Sequence, residues 1–300
     1  MELVVTLIAP QSLSQGAVAA ARDALAAAGG APGAPVPIDA GAAVDIPVAG
    51  LAPAAARAAA AAAAAAEGLD AVVQPGRAGA LRVRRLLVAD MDSTIIGQEC
   101  IDELADFAGR RAEIAAITEQ AMQGALDFAQ ALRARVAALA GLGADAIART
   151  LAERVRLNPG AATLLATMKA HGCRAVLVSG GFTAFTAEVA RIAGFDRQVA
   201  NRLEIAGGKL AGTVAEPIVD SATKAAVLEE ERRALGLARE DTLAIGDGAN
   251  DIPMLEAAGL GIAFRAKPRA AAAADALIRH GDLTAILHAQ GIPRARWAAG

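Results

Sequence analysis

The chain has 300 residues, with 29 Lys and Arg against 32 Asp and Glu, a formal net charge of −3 and a pI of about 5.7. That near-balance argues against the basic faces that hold nucleic acid or an anionic membrane surface. Apolar residues reach 55% but aromatics only 2%, so Leu, Val, Ile and Ala must build the core.

Residues 1–80 read as a separate small domain. Residues 2–8 predict a strand, and 12–28 a helix stopped by Gly29 and Gly30. Short strands are expected near Ile38 and over 44–46. The Ala-rich stretch 53–67 predicts a second helix, because Ala has the highest helix propensity and a first turn tolerates Pro53. Its unbroken apolar run, 58–66, is too short to span a bilayer. A strand over 69–74 closes a small α+β (ferredoxin-like) unit, a candidate regulatory domain or dimerisation module, and 74–79 predicts a linker.

Residues 81–300 alternate strand and helix patterns. Strands are expected at 83–90, 174–179, 242–246 and 260–263. Helices are expected at 160–171, 183–193, 221–235, 251–257 and 282–289. This order predicts an α/β fold with a doubly wound, Rossmann-like core. Residues 98–155 keep a helical period with no strand run. Inserted after the first core strand, they predict a helical cap over the carboxyl edge of the sheet. A hairpin turning at Gly207-Gly208 is expected within 199–214.

Cys100 and Cys173 offer no metal-ligand spacing or disulfide framework, and a reducing, cytoplasmic setting fits them. His171, His280 and His288 form no zinc pattern. No basic segment precedes an apolar core at the N-terminus, so no signal peptide is expected.

Polar residues gather at the predicted boundaries. They are Asp90, Asp92, Ser93 and Thr94; then Ser179-Gly180-Gly181; then Lys224; then Asp247, Asn250 and Asp251. Carboxylates at the carboxyl ends of parallel strands suit a divalent cation, a phosphoryl group, or both. Glycines beside a hydroxyl let the backbone approach an anion closely.

These clusters resemble the four motifs of the haloacid dehalogenase-like phosphohydrolases: DMDST, LVSGG, Lys224 within DSATKAAVL, and GDGAND. Longer stretches, among them DMDSTIIGQECIDELA, ITEQAMQGALDFAQALRARV and ANRLEIAGGKLAGTV, are similar to the branch of that family acting on phosphoserine. The resemblance covers about 83–290. It implies hydrolysis of O-phospho-L-serine to L-serine and phosphate, the last step of serine biosynthesis, through an aspartyl-phosphate assisted by Mg²⁺. By motif position, Asp90 is then the nucleophile and Asp92 the general acid/base. The Asp90 side chain, the Asp92 carbonyl and Asp247 become the metal ligands, supported by Asp251. Ser179, Gly180, Lys224 and Asn250 take the phosphoryl group. Glu99 and Arg135 read the ammonium and carboxylate, in a pocket with Met122, Phe128 and Gly181.

Two alternatives stay open here: another small phosphate ester or a homoserine phosphotransferase, and an amino-acid sensor built on the N-terminal unit. No nucleic-acid or membrane partner is expected, and a homodimer is one candidate assembly.

Overall fold

The computed structural model describes residues 2–122 and 125–300, with the Met122 side chain outside that description. The N-terminal unit runs β1 (Leu3–Ile8), α1 (Gln15–Ala27), β2 (Ala31–Pro32), β3 (Val36–Asp39), β4 (Ala43–Ala49), α2 (Pro53–Ala66) and β5 (Asp70–Pro75). Ser14 starts α1 by accepting the Ala17 amide at 3.0 Å, as an N-cap serine does. β1 pairs antiparallel with both β4 and β5, the arrangement of the expected ferredoxin-like unit. Leu3, Val5, Leu7, Ile46 and Val73 face α1 and α2, where Ala56, Ala60 and Ala64 let the helix approach closely.

The larger part begins with β6 (Leu86–Ala89) and continues through a cap of α3 (Cys100–Ala108), α4 (Arg111–Met122), α5 (Phe128–Ala138) and α6 (Asp145–Glu153). Then come α7 (Ala161–Ala170), β7 (Arg174–Phe182), α8 (Thr183–Ala193), β8 (Arg197–Asn201), β9 (Leu203–Ala206), β10 (Lys209–Val214) and α9 (Ser221–Ala234). The chain ends through β11 (Thr242–Gly246), α10 (Ile252–Ala257), β12 (Leu260–Phe264), α11 (Pro268–Ala273), β13 (Ala276–Ile278) and α12 (Ala285–Ala289). β6 and β11 are buried along their whole length, as parallel strands covered on both faces must be.

The hairpin is shorter than expected. Residues 197–201 join the main sheet beside β7, and only β9 and β10 form the two-stranded ribbon. That ribbon bonds to the cap, with Leu210 N–H donating to the Leu142 carbonyl at 2.8 Å and Gly141 N–H to the Leu210 carbonyl at 2.9 Å. α11 and β13 have no counterpart in the sequence reading. The stretch AAAADALI lacks the alternation that reveals a strand, and its pairing with β12 decides its state.

The boundary expected at residue 80 falls inside a continuous sheet. Its order is β2-β4-β1-β5-β13-β12-β11-β6-β7-β8, with Ala71 of β5 opposite Leu277 of β13. The N-terminal unit keeps an apolar core of its own on one face. On the other face Ile8, Ala43 and Val72 join the core of the larger part.

A polar clamp spans the seam. The Arg82 guanidinium donates to both Asp45 oxygens at 2.9 Å, to the Ala80 carbonyl at 2.8 Å and to the Ala289 carbonyl at 3.3 Å. Arg82 is 8% exposed and Asp45 fully buried. Removing one partner of a buried pair leaves the other charge uncompensated. Arg82→Ala should therefore cost roughly 3–5 kcal/mol, read by chemical denaturation. Arg191→Ala, which breaks a pair 69% exposed at the arginine, is the control that should change little.

Candidate active site

Strand register assembles the site. Ala89 lies opposite Ile245 on β11 and Leu177 on β7, and the Asp90 N–H donates to the Ile245 carbonyl at 2.9 Å. Asp90 and Asp247, directly after β6 and β11, and Ser179, within β7, thus come to nearly one level on three neighbouring strands. After β6 the chain crosses to β7 on one side and later returns to β11 on the other. Open parallel sheets bind ligands at such a reversal.

Lys224 is the central cation. Asp220 caps α9 through the Thr223 amide at 2.9 Å, which sets Lys224 in the first turn. Its ammonium lies 2.8 Å from Asp90 Oδ1 and 2.6 Å from Asp251 Oδ1, and its side chain is 1% exposed. Burial pulls its pKa down, but Asp90 and Asp251 outweigh that and raise it. Asp90 Oδ1 also accepts the Met91 amide at 2.7 Å. Both contacts fall on Oδ1, so Oδ2 has no partner among the described residues. Burial and the Asp251 charge push the Asp90 pKa well up, with Lys224 opposing.

Asp251 organises the acidic loop. Its Oδ2 accepts the amides of Asp247 at 3.1 Å and Gly248 at 2.9 Å. A side chain on Gly246 would put its Cβ 2.5 Å from the Asp251 Cβ, so glycine is required there. Asp247 is held loosely, by Thr94 Oγ1 at 3.4 Å and the Lys267 ammonium at 3.5 Å. Burial raises its pKa and Lys267 opposes. One oxygen each from Asp90, Asp247 and Asp251 lie within 4.8 Å of one another, all three buried. Hard carboxylate oxygens so grouped fit a Mg²⁺ ion, which prefers oxygen ligands. Asp251 belongs to this group by distance, yet both its oxygens already accept protein donors.

Asp92 faces the cap. Its Oδ1 accepts the Cys100 amide at 3.3 Å, one of the free N–H groups that open α3. Burial and the nearby Glu99 raise its pKa to about 7, with hydrogen bonds from Cys100 opposing. Ser93, between the two acids, has a left-handed backbone at φ 55°. Its hydroxyl donates to Glu99 Oε1 at 2.7 Å and sets that carboxylate beside the site.

Ser179 is 1% exposed, and its Oγ accepts the Gly181 amide at 2.9 Å. It stands in β7 and does not cap α8, whose N-cap is Phe182. A Cβ on Gly181 would lie 3.0 Å from Asp92 Oδ2, and one on Gly180 would lie 3.0 Å from the Phe128 ring. Both glycines therefore line the space between sheet and cap. Asn250 is half-buried in the acidic loop.

Arg135 is half-buried on α5, and its Nε donates to the Ala131 carbonyl of its own helix at 3.3 Å. Burial lowers its pKa, opposed by Asp102, Glu99 and Asp92. It therefore faces the acidic side of the site without closing an ion pair among the described residues. The Met122 expectation lies outside the described residues.

Sequence reading gave no role to three residues here. Asn201, 1% exposed, donates to the Gly180 carbonyl at 2.9 Å and accepts the Val219 amide at 2.7 Å. It ties the glycine turn to the segment leading into α9. Thr94 and Lys267 are the two residues holding Asp247. No local pattern marks any of the three, because each acts where separate segments meet across the sheet.

A model of the haloacid dehalogenase-like hydrolases matches residues 87–256. The chain is 47% identical over 215 residues to phosphoserine phosphatase SerB2 of Mycobacterium tuberculosis, covering 72% of this chain. It spans about half the length of that relative, 52%. It is 45% identical over 208 residues to the phosphoserine phosphatase of Albidiferax ferrireducens, covering 68% of this chain and 88% of that one. Its fold is similar to the unliganded structure of a probable phosphoserine phosphatase from Vibrio cholerae, with a TM-score of 0.77 and 29% identity. That match covers 98% of this chain and 88% of the other.

Proposed function

Since the chain belongs to the haloacid dehalogenase-like hydrolase family, we propose that it hydrolyses O-phospho-L-serine to L-serine and phosphate, closing serine biosynthesis. One observation carries the chemistry: Asp90 turns a single oxygen to buried Lys224, at 2.8 Å, and leaves the other open at the carboxyl end of β6. The names of the relatives supply the substrate.

Asp90 Oδ2 attacks phosphorus, and the bond to the serine oxygen breaks. An alkoxide is a poor leaving group. Asp92, held at about 7 by burial and Glu99, donates its proton to that oxygen. The resulting aspartyl-phosphate is hydrolysed by a water whose proton returns to Asp92. Ser179, the Gly180 turn, Asn250 and Lys224 hold the phosphoryl oxygens as charge shifts among them. Asp90, Asp247 and the Asp92 main-chain carbonyl, with Asp251 in support, would hold a Mg²⁺, whose charge would offset the repulsion between Asp90 and the phosphate dianion. Glu99 pairs with the substrate ammonium and Arg135 with its carboxylate. Phe128, Met122 and Gly181 shape the remaining pocket.

No helix among the described residues is long and apolar enough to cross a membrane. Both cysteines are free and buried, which supports a cytoplasmic setting.

The test is phosphate release from O-phospho-L-serine. MgCl2 should support it, exhaustive chelation should remove it, and CaCl2 should fail to restore it. Ca²⁺ takes more ligands at longer bonds and would displace Asp90 from phosphorus. Full activity after chelation would overturn the metal role. Serine release that exceeds free phosphate on adding homoserine, with phosphohomoserine formed, would favour the transferase.

A further inference from the structure

The site holds two lysines of opposite character. Lys224 is 1% exposed, and its ammonium sits 2.8 and 2.6 Å from two buried carboxylates. It cannot leave without stranding both. Lys267 is 64% exposed, and among the described residues its ammonium pairs with Asp247 Oδ2 alone, at 3.5 Å. A long contact on a solvated side chain costs little to break.

Its backbone is nevertheless fixed. The Lys267 N–H donates to the Asp247 carbonyl at 2.9 Å, which staples the loop after β12 to the acidic loop after β11. Pro268 follows at the start of α11 and confines Lys267 to extended backbone, here φ −64° and ψ 153°. The ammonium is thus delivered to Asp247 from a rigid anchor on a flexible stem.

Asp247 is also the carboxylate of the cation group with the weakest protein contacts, 3.4 Å to Thr94 and 3.5 Å to Lys267. Asp251 has both oxygens engaged, and Asp90 has one paired with Lys224. Asp247 is therefore where a divalent cation meets least competition from fixed donors, and Lys267 is the movable competitor.

We propose that Lys267 is a positioning residue that competes with the divalent cation for Asp247, loosening the metal's hold so that metal binding is tuned by a displaceable side chain. This rests on the phosphatase reading above, because it takes Asp247 as a metal ligand. Two positive groups sharing one carboxylate lie on the order of 5 Å apart. At that separation a unit charge and a divalent ion still repel measurably in a water-like dielectric. The lysine can swing away, which reduces the effect.

The experiment is titration of the protein with MgCl2 alone, followed calorimetrically, and with MnCl2, followed by the resonance of the free ion. Lys267→Ala and Lys267→Gln should each lower the Mg²⁺ dissociation constant about fivefold, and the gain should shrink as KCl is raised. Lys267→Arg should stay near the wild type. Unchanged or weaker binding in both neutral variants would overturn the inference while leaving the phosphatase reading intact. A wild-type chain that binds neither ion would overturn both.

Discussion

Asp90→Asn should lower turnover of O-phospho-L-serine by roughly 10⁴-fold or more, the scale on which loss of a nucleophile acts. The amide keeps the shape of the carboxylate but cannot form the acyl-phosphate. The fold should survive. Burial and the Asp251 charge work against a charged Asp90, while Lys224 works for it. A neutral replacement loses both effects, and Lys224 keeps Asp251 at 2.6 Å. The thermal midpoint of the variant should stay close to that of the wild type. Acid quench with radiolabelled substrate should trap a hydroxylamine-labile adduct on the wild type only. Equal labelling of the variant would sink Asp90 as the nucleophile.

Arg135→Ala should lower kcat/KM for O-phospho-L-serine by about 30-fold or more. Truncating one partner of a partly desolvated charged hydrogen bond costs roughly 2–5 kcal/mol, and each ~1.4 kcal/mol is tenfold. Arg135 is half-buried with Glu99, Asp102 and Asp92 as its electrostatic neighbours. Its guanidinium is thus drawn toward the acidic side while its Nε only bonds its own helix. That leaves the fork available to a carboxylate ligand. Activity on p-nitrophenyl phosphate, which lacks both ammonium and carboxylate, should fall much less. Glu99→Gln should show the same asymmetry, because Ser93 holds Glu99 beside the site at 2.7 Å. Equal losses on both substrates would assign the pair to chemistry or cap closure.

Three of the four motifs were legible because each follows an apolar run, whereas Lys224 was legible through the resemblance. β6 and β11 are short apolar runs, and a carboxylate directly after such a run reads as a strand end. The cap was legible as a long helical period without a strand. Sequence also supplied the N-terminal βαββαβ order, which the pairing of β1 with β4 and β5 bears out.

Other features depend on residues far apart in the chain. The join of β5 to β13 unites Ala71 with Leu277, and no local pattern announces a partner 206 positions away, the difference of the two numbers. The Arg82 clamp gathers Asp45 and the Ala289 carbonyl. An arginine beside a predicted linker reads as solvated until the fold buries it.

What the sequence by itself determined is the set of candidate groups: the acids and the glycine turn beside apolar runs, and the lysine through the motif it resembles. What only the tertiary structure decided is how those groups share charge. Asp90 offers one oxygen because the other faces Lys224, Asp251 is spent on amides and that same lysine, and Asp247 is left to Lys267. Strand ends are dictated by short-range periodicity, whereas the pairing of buried charges is set by which loops the sheet register brings within a few ångströms.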